Sequence, residues 1–202
     1  AGAKILNDIG LPIYFLVGNH DLYYRHNRSV FTTNHFEGFK NFNIISEITV
    51  KKEFGKKGAL FAPYLFHEEY PKLLEYSNIP VWAMHAEFKG FVVTGESKVL
   101  EDGPDHTLFK KVNKIFTGHF HKRQNKNNIY YIGNTFPSSY ADANDSNRGM
   151  MVYNFEEDEV KYINDPDAPM FINGNLSSLL DGKLELSKNS SLKLLADVDI
   201  TL

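Results

Sequence analysis

The run Ile13-Tyr14-Phe15-Leu16-Val17-Gly18-Asn19-His20-Asp21 decides how the chain is read. Its first five residues are apolar; the next four are a glycine, an amide, an imidazole and a carboxylate. A buried strand is therefore predicted to end in a polar loop. Packing does not account for that loop, because its groups offer no apolar area and need hydrogen-bond partners wherever they are covered. Polar groups gathered past the carboxyl end of a strand are how α/β folds furnish their sites.

Two further stretches are built the same way. Lys114-Ile115-Phe116-Thr117 is a predicted strand that runs into Gly118-His119-Phe120-His121, and Val81-Trp82-Ala83-Met84 is one that ends at His85. Histidines two apart at a strand end point to the same side, which suits presentation of two imidazoles to a metal ion. Each piece alone has a structural reading, since a single histidine is more often a hydrogen-bonded structural residue than a ligand. The ordered series of three strands, each delivering a histidine at or just past its carboxyl end, is far more specific.

In that order, Gly18-Asn19-His20-Asp21, His85 and Gly118-His119-Phe120-His121 resemble the last three of the five motifs of calcineurin-like metallophosphoesterases. The resemblance is closer to the nuclease subunits of double-strand-break repair complexes, of the SbcCD and phage recombination endonuclease type. Tyr131-Ile132-Gly133-Asn134-Thr135 and the later Asn147-Arg148-Gly149-Met150-Met151-Val152-Tyr153 are similar to the segment that follows the last metal motif there. The likeness runs over about residues 10–169. It implies a metal-dependent DNA nuclease with two divalent ions, manganese first and iron or zinc as alternatives. Asn19, His85 and His119 match ligands of the second ion and His121 a ligand of the first. His20 matches the catalytic histidine, with Asp21 orienting it. The implied partners are DNA, an SMC-like ATPase and a second copy of the chain in a homodimer.

The family opens with Asp-x-His and then Gly-Asp, whereas residues 1–17 hold a single acid, Asp8. By resemblance the chain therefore carries about half of a two-metal site, and an N-terminally incomplete domain is expected. Stripping the first strands from such a sandwich would bare a sheet edge, so association or poor solubility is expected of the isolated chain. Two other functions fit the same residues: a phosphodiesterase or phosphatase for small substrates, and a non-catalytic DNA-binding or dimerisation module that has lost its metals.

Composition narrows the setting. The 202 residues include no cysteine, which excludes disulfides and thiolate metal sites. A net charge of −3 and a pI of about 6.3 do not describe a general nucleic-acid binder, so DNA contacts would fall to local patches. Apolar runs fall well short of the ~20 residues that cross a bilayer; no membrane association and a cytoplasmic location are the expectation. The basic residues Lys114, Lys122, Arg123 and Lys126 around the second histidine loop form the best such patch in sequence. Beside the first loop, Tyr23, Tyr24, Arg25, His26 and Arg28 combine rings for stacking on bases with cations for phosphates; Tyr23 and Arg25 here, with Arg148 further along the chain, are the candidate substrate contacts. Arg148 either binds phosphate or pins the polar loop over residues 133–148 to a carboxylate.

The remaining elements follow from pattern. Residues 1–9 are predicted helical with Gly10 as the cap, residues 30–40 helical, 42–50 a strand, 51–57 a turn with four lysines, and 59–64 the returning strand. Phe31, His35, Phe36 and Phe39 share one face of the 30–40 helix, a stripe more often core than interface. Residues 67–76 and 105–112 are predicted helices, 87–100 a strand pair or irregular loop, and 129–132, 149–155 and 160–163 strands. The expected architecture is α/β, a two-sheet sandwich flanked by helices. Residues 1–164 are expected to form the metallophosphoesterase domain, and 165–202 a linker and the start of a capping domain ending in a strand-like run at 192–202.

Overall fold

The computed structural model describes residues 2–94 and 98–198. It is a mixed α/β structure. In chain order the elements are α1 (Gly2–Asp8), β1 (Ile13–Leu16), β2 (Phe42–Ile45), β3 (Thr49–Lys51), β4 (Ala59–Ala62), β5 (Val81–His85), β6 (Val92–Thr94) and β7 (Lys98–Val99). Then follow β8 (Lys114–Gly118), β9 (Gln124–Lys126), β10 (Ile129–Tyr131), β11 (Gly149–Asn154), β12 (Glu159–Asn164), β13 (Met170–Asn175), α2 (Leu176–Leu180) and β14 (Ser190–Leu195). Two compact units result: residues 1–89, 102–119 and 125–130, and residues 90–101, 120–124 and 131–202.

In the first unit β1 pairs in parallel with β2, Ile13 opposite Phe42 and Leu16 opposite Ile45. A six-stranded sheet runs in the order β3-β4-β5-β8-β10-β9. Its centre, β4-β5-β8, is parallel, with Leu60 opposite Trp82 and Trp82 opposite Ile115. Leu60, Trp82 and Ile115 are fully buried, as parallel strands covered on both faces require. Leu65, Leu73, Phe88 and Phe109 complete this core. The β3–β4 hairpin is antiparallel and turns through the predicted lysine-rich segment.

The predicted 42–50 strand is split. Its first half pairs with β1 and its second with β4, while the Arg28 Nε donates to the Ser46 carbonyl at the break, 3.1 Å away. The predicted 30–40 helix is a shorter 3-10 turn, Thr32–Gly38, because Thr32, Thr33, Asn34 and Gly38 are weak α-helix formers. Phe36 packs on Phe42 and Phe15, and Phe39 on Phe42, so these two rings of the stripe lean half-buried on the core, while His35 is exposed. The 67–76 segment also winds as 3-10 helix, with Pro71 inside it removing a backbone donor. The 105–112 helix reduces to a 3-10 turn at His106–Phe109, capped by Asp105.

In the second unit β11 and β12 form an antiparallel hairpin around the acidic turn, and β13 pairs in parallel with β14 across α2. The β6–β7 pair matches the expected strand pair, although residues 95–97 between them lie outside the described residues, as do 199–202 of the strand-like run at the end. Phe91 and Phe120 both pack on the buried Tyr131. Among the described residues no helix is long and apolar enough to cross a membrane.

Candidate functional site

The first site lies in the first unit, where three chain segments end side by side. The Val17 amide bonds to the Ile45 carbonyl and the Tyr64 amide to the Val17 carbonyl, so the end of β1 is held between β2 and the segment after β4. His85 closes β5 in register with Gly118, which closes β8. The buried Thr117 hydroxyl accepts from the Ala86 amide at 3.0 Å, locking those two strand ends together.

Past β1, Asn19–Asp21 forms one 3-10 turn. The Asp21 carboxylate accepts the Gly18 N–H at 2.8 Å and closes the turn on which His20 stands exposed. Asn19 Oδ1 and His85 Nε2 lie 3.0 Å apart, within hydrogen-bond distance. The His119 ring lies 5.3 Å from that of His85, centroid to centroid, and stacks at 17° on Tyr64. The structure thus brings Asn19, His20, Asp21, His85 and His119 into one cluster.

The glycines of the two motifs have a steric purpose. A Cβ on Gly18 would stand 3.1 Å from His85 Cε1, and one on Gly118 would stand 3.2 Å from His85 Nδ1. The imidazole fills the space those side chains would take. His119 itself sits at φ 89°, a left-handed conformation that is costly for a residue with a Cβ and that clusters at functional sites.

Sequence reasoning missed two members of this cluster, Glu87 and Tyr64. His119 Nε2 donates to Glu87 Oε2 at 3.1 Å, and the Tyr64 hydroxyl donates to Glu87 Oε1 at 3.3 Å. The His119 bond, against the opposing effect of burial, holds the Glu87 carboxyl below its ordinary range. Burial and then the Glu87 charge push the Tyr64 hydroxyl up. One signal was available, since Glu87 follows His85 by two residues, the spacing that repeats a strand face. Burial, then the neighbouring His119 and His20, drive His85 down to about 4, so its imidazole is neutral at physiological pH.

Two imidazoles and an amide oxygen are a mixed nitrogen and oxygen donor set that fits a divalent transition metal. Asn19, His85 and His119 are the residues that would hold it. Among the described residues no group of three or more His, Cys, Asp or Glu is placed to hold a metal ion, so the set depends on the asparagine.

His121 belongs to the second unit. Its Nδ1 lies 3.1 Å and 3.2 Å from the two oxygens of Asp142, another residue the sequence did not single out. Asp142 is buried in the 3-10 turn Tyr140–Asp142 of the polar loop. Burial opposes its charge, yet Ser138 and His121 hold its carboxyl below the usual range. Arg148 is buried and donates to the backbone carbonyls of His121 and Asp142, each at 3.1 Å, and to the Asp145 carboxylate at 3.2 Å. Of the two roles considered for it, pinning the loop is the one its side chain performs.

The candidate nucleic-acid contacts divide. Tyr23 and Tyr24 are exposed and meet edge to face at 4.8 Å, and Arg25 is exposed beside them. Arg28 is instead committed inward, with both terminal nitrogens 2.6 Å from Glu69. Lys114 is buried and leaves the basic patch proposed around the second histidine loop. Arg123 lies over the Tyr162 ring and donates to Asn164 Oδ1 at 2.6 Å.

No family model matches the chain. The chain is similar to "Exonuclease subunit 1" of Enterobacteria phage T4, 26% identical over 167 residues, which cover 79% of this chain and 47% of that protein. The chain spans about half the length of the curated relative it matches.

Proposed function

We propose that the chain is part of a metal-dependent DNA nuclease of the metallophosphoesterase type, an exonuclease and single-strand endonuclease working in recombination and repair. The observation that carries the reading is the assembly of Asn19, His85 and His119 from three strand ends around one half-buried imidazole. The similarity to a phage exonuclease subunit supports it. On this reading the β1–β2 pair and the six-stranded sheet are parts of a two-sheet sandwich, and residues 165–202 belong to a linker and a capping domain. The partners are DNA, an SMC-like ATPase subunit and a second copy of the chain.

Asn19, His85 and His119 would hold a divalent ion, manganese by preference, which would supply Lewis acidity toward phosphate oxygens when bound. The chain does the rest. Burial keeps His85 neutral and able to donate a lone pair. His20, exposed on the turn that Asp21 closes, protonates the departing oxygen. Tyr23 and Tyr24 present faces to unpaired bases while Arg25 meets a phosphate.

The test is cleavage of linear duplex and circular single-stranded DNA with manganese, set against His20→Ala. Manganese-dependent cleavage that His20→Ala abolishes is expected; cleavage equal in both proteins contradicts the assignment. A second reading, a DNA-binding module without catalysis, is favoured by the lack, among the described residues, of a carboxylate-containing metal cluster. That module would bind DNA with manganese present and leave it intact.

A further inference from the structure

The loop over residues 22–31 closes on itself and is anchored by one cation. Leu22 and Phe31 form an antiparallel bridge at its neck, and the Tyr23 amide donates to the Val30 carbonyl at 3.1 Å. Within the loop Tyr23, Tyr24, Arg25 and His26 are exposed, whereas the Arg28 side chain is only 15% exposed. Every guanidinium nitrogen of Arg28 is used. Nε donates to the Ser46 carbonyl at 3.1 Å, Nη1 to the Tyr64 carbonyl at 2.9 Å and to Glu69 Oε2 at 2.6 Å, and Nη2 to Glu69 Oε1 at 2.6 Å. Glu69 is held in turn by the Phe66 amide at 2.9 Å, and the guanidinium lies over the Phe66 ring, 5.2 Å from its centroid.

One of these anchors is also a wall of the site. Tyr64, whose carbonyl takes the Arg28 bond, holds the end of β1 through its amide and stacks its ring on His119. Arg28 therefore joins the loop that carries the two exposed tyrosines to the cluster of Asn19, His85 and His119. We propose that Arg28 is a positioning residue that fixes the Tyr23 and Tyr24 rings relative to that cluster, so that a single strand stacked on them reaches it in one register. The inference rests on the reading of those rings as contacts to unpaired bases. A guanidinium suits the task because its planar fork meets a carboxylate with two bonds and keeps donors for carbonyls, which the point charge of a lysine does not reproduce.

Hydrogen exchange of the Tyr23 amide reads the anchor, and fluorescence anisotropy with a single-stranded oligonucleotide reads its consequence. The wild-type Tyr23 amide is expected to be protected, and Arg28→Lys to speed its exchange ~10-fold or more. Arg28→Lys keeps the charge, so it is expected to weaken oligonucleotide binding ~5-fold or more with an unchanged salt slope. In a background carrying both Tyr23→Ala and Tyr24→Ala it is expected to weaken binding no further, since a residue that acts through the rings has nothing to act on once they are gone. An unprotected Tyr23 amide in the wild type overturns the proposal without any variant, which covers the case in which Arg28→Lys fails to fold. Wild-type affinity in Arg28→Lys overturns it, and so does an equal loss with and without the rings, the mark of general damage. Faster Tyr23 exchange in Arg28→Lys beside a wild type that binds no oligonucleotide upholds the anchor and contradicts the reading of the rings as nucleic-acid contacts.

Discussion

Asn19 Oδ1 and His85 Nε2 lie 3.0 Å apart although 66 residues separate them in the chain. The contact joins the loop after β1 to the end of β5, and it places the amide and the imidazole of two separate motifs within reach of one ligand. Glycines on both sides make it possible, Gly18 before the asparagine and Gly118 opposite His85 in the next strand.

Gly18→Ala is therefore expected to displace His85. The added methyl would stand 3.1 Å from Cε1, and Gly118 and Asn19 leave the ring little room to retreat. Gly18 has φ −90°, so backbone strain plays no part. Overpacking of this size costs about 1 kcal/mol or more. Urea unfolding and the His85 ring resonances check it; an unchanged midpoint with unchanged resonances contradicts the steric account.

His119 at φ 89° gives a sharper comparison. His119→Gly and His119→Ala both lose the bond to Glu87 and the stack on Tyr64, but only glycine adopts this conformation freely. The glycine variant is expected to be the more stable of the two by about 1 kcal/mol. Equal stability of the two in thermal unfolding refutes a strained His119.

The pair between Arg28 and Glu69 predicts a pH dependence. Its bond to Arg28, outweighing burial, lowers Glu69 from its ordinary 4.5. A depressed folded-state value means that this stabilisation is full above pH 4.5 and is lost as pH falls through the lower folded-state value. Glu69→Gln is expected to cost about 2 kcal/mol at neutral pH, since a charged hydrogen-bonding partner of a mostly buried arginine is removed. The cost should shrink as acid protonates the wild type. Parallel acid-unfolding curves for the two proteins count against the pair.

Tyr23 is 72% exposed and stands edge to face with Tyr24. If these rings stack on unpaired bases, Tyr23→Ala weakens binding to single-stranded oligonucleotides by ~5–100-fold, and Arg25→Ala weakens it with a shallower salt dependence. Fluorescence anisotropy at two salt concentrations reads both. Wild-type affinity in both variants removes this surface from the account.

The strands that build the site were legible because each is a short apolar run stopped by a glycine or a histidine, and 81–85 and 114–118 fell where the pattern placed them. The helices were legible only in position. Thr32, Thr33, Asn34, Gly38 and Pro71 weaken α-helical winding, and the chain takes 3-10 turns there. Asp142 carries no periodic signal in a polar loop, and Arg28 reads as a surface cation until Glu69 is found 41 residues away. Lys114 misleads in the opposite sense, as a lysine buried at the start of a core strand. Tertiary pairs of this kind are set by the fold and leave no mark on local spacing.

The central claim is that Asn19, His85 and His119 hold a divalent ion, and manganese titration followed by electron paramagnetic resonance tests it most directly. Saturable binding by the wild type is predicted, weakened at least ~10-fold in His85→Ala and in His119→Ala while a His26→Ala control at the exposed loop is unaffected. Binding of equal strength in all four proteins, or none in the wild type, contradicts the claim.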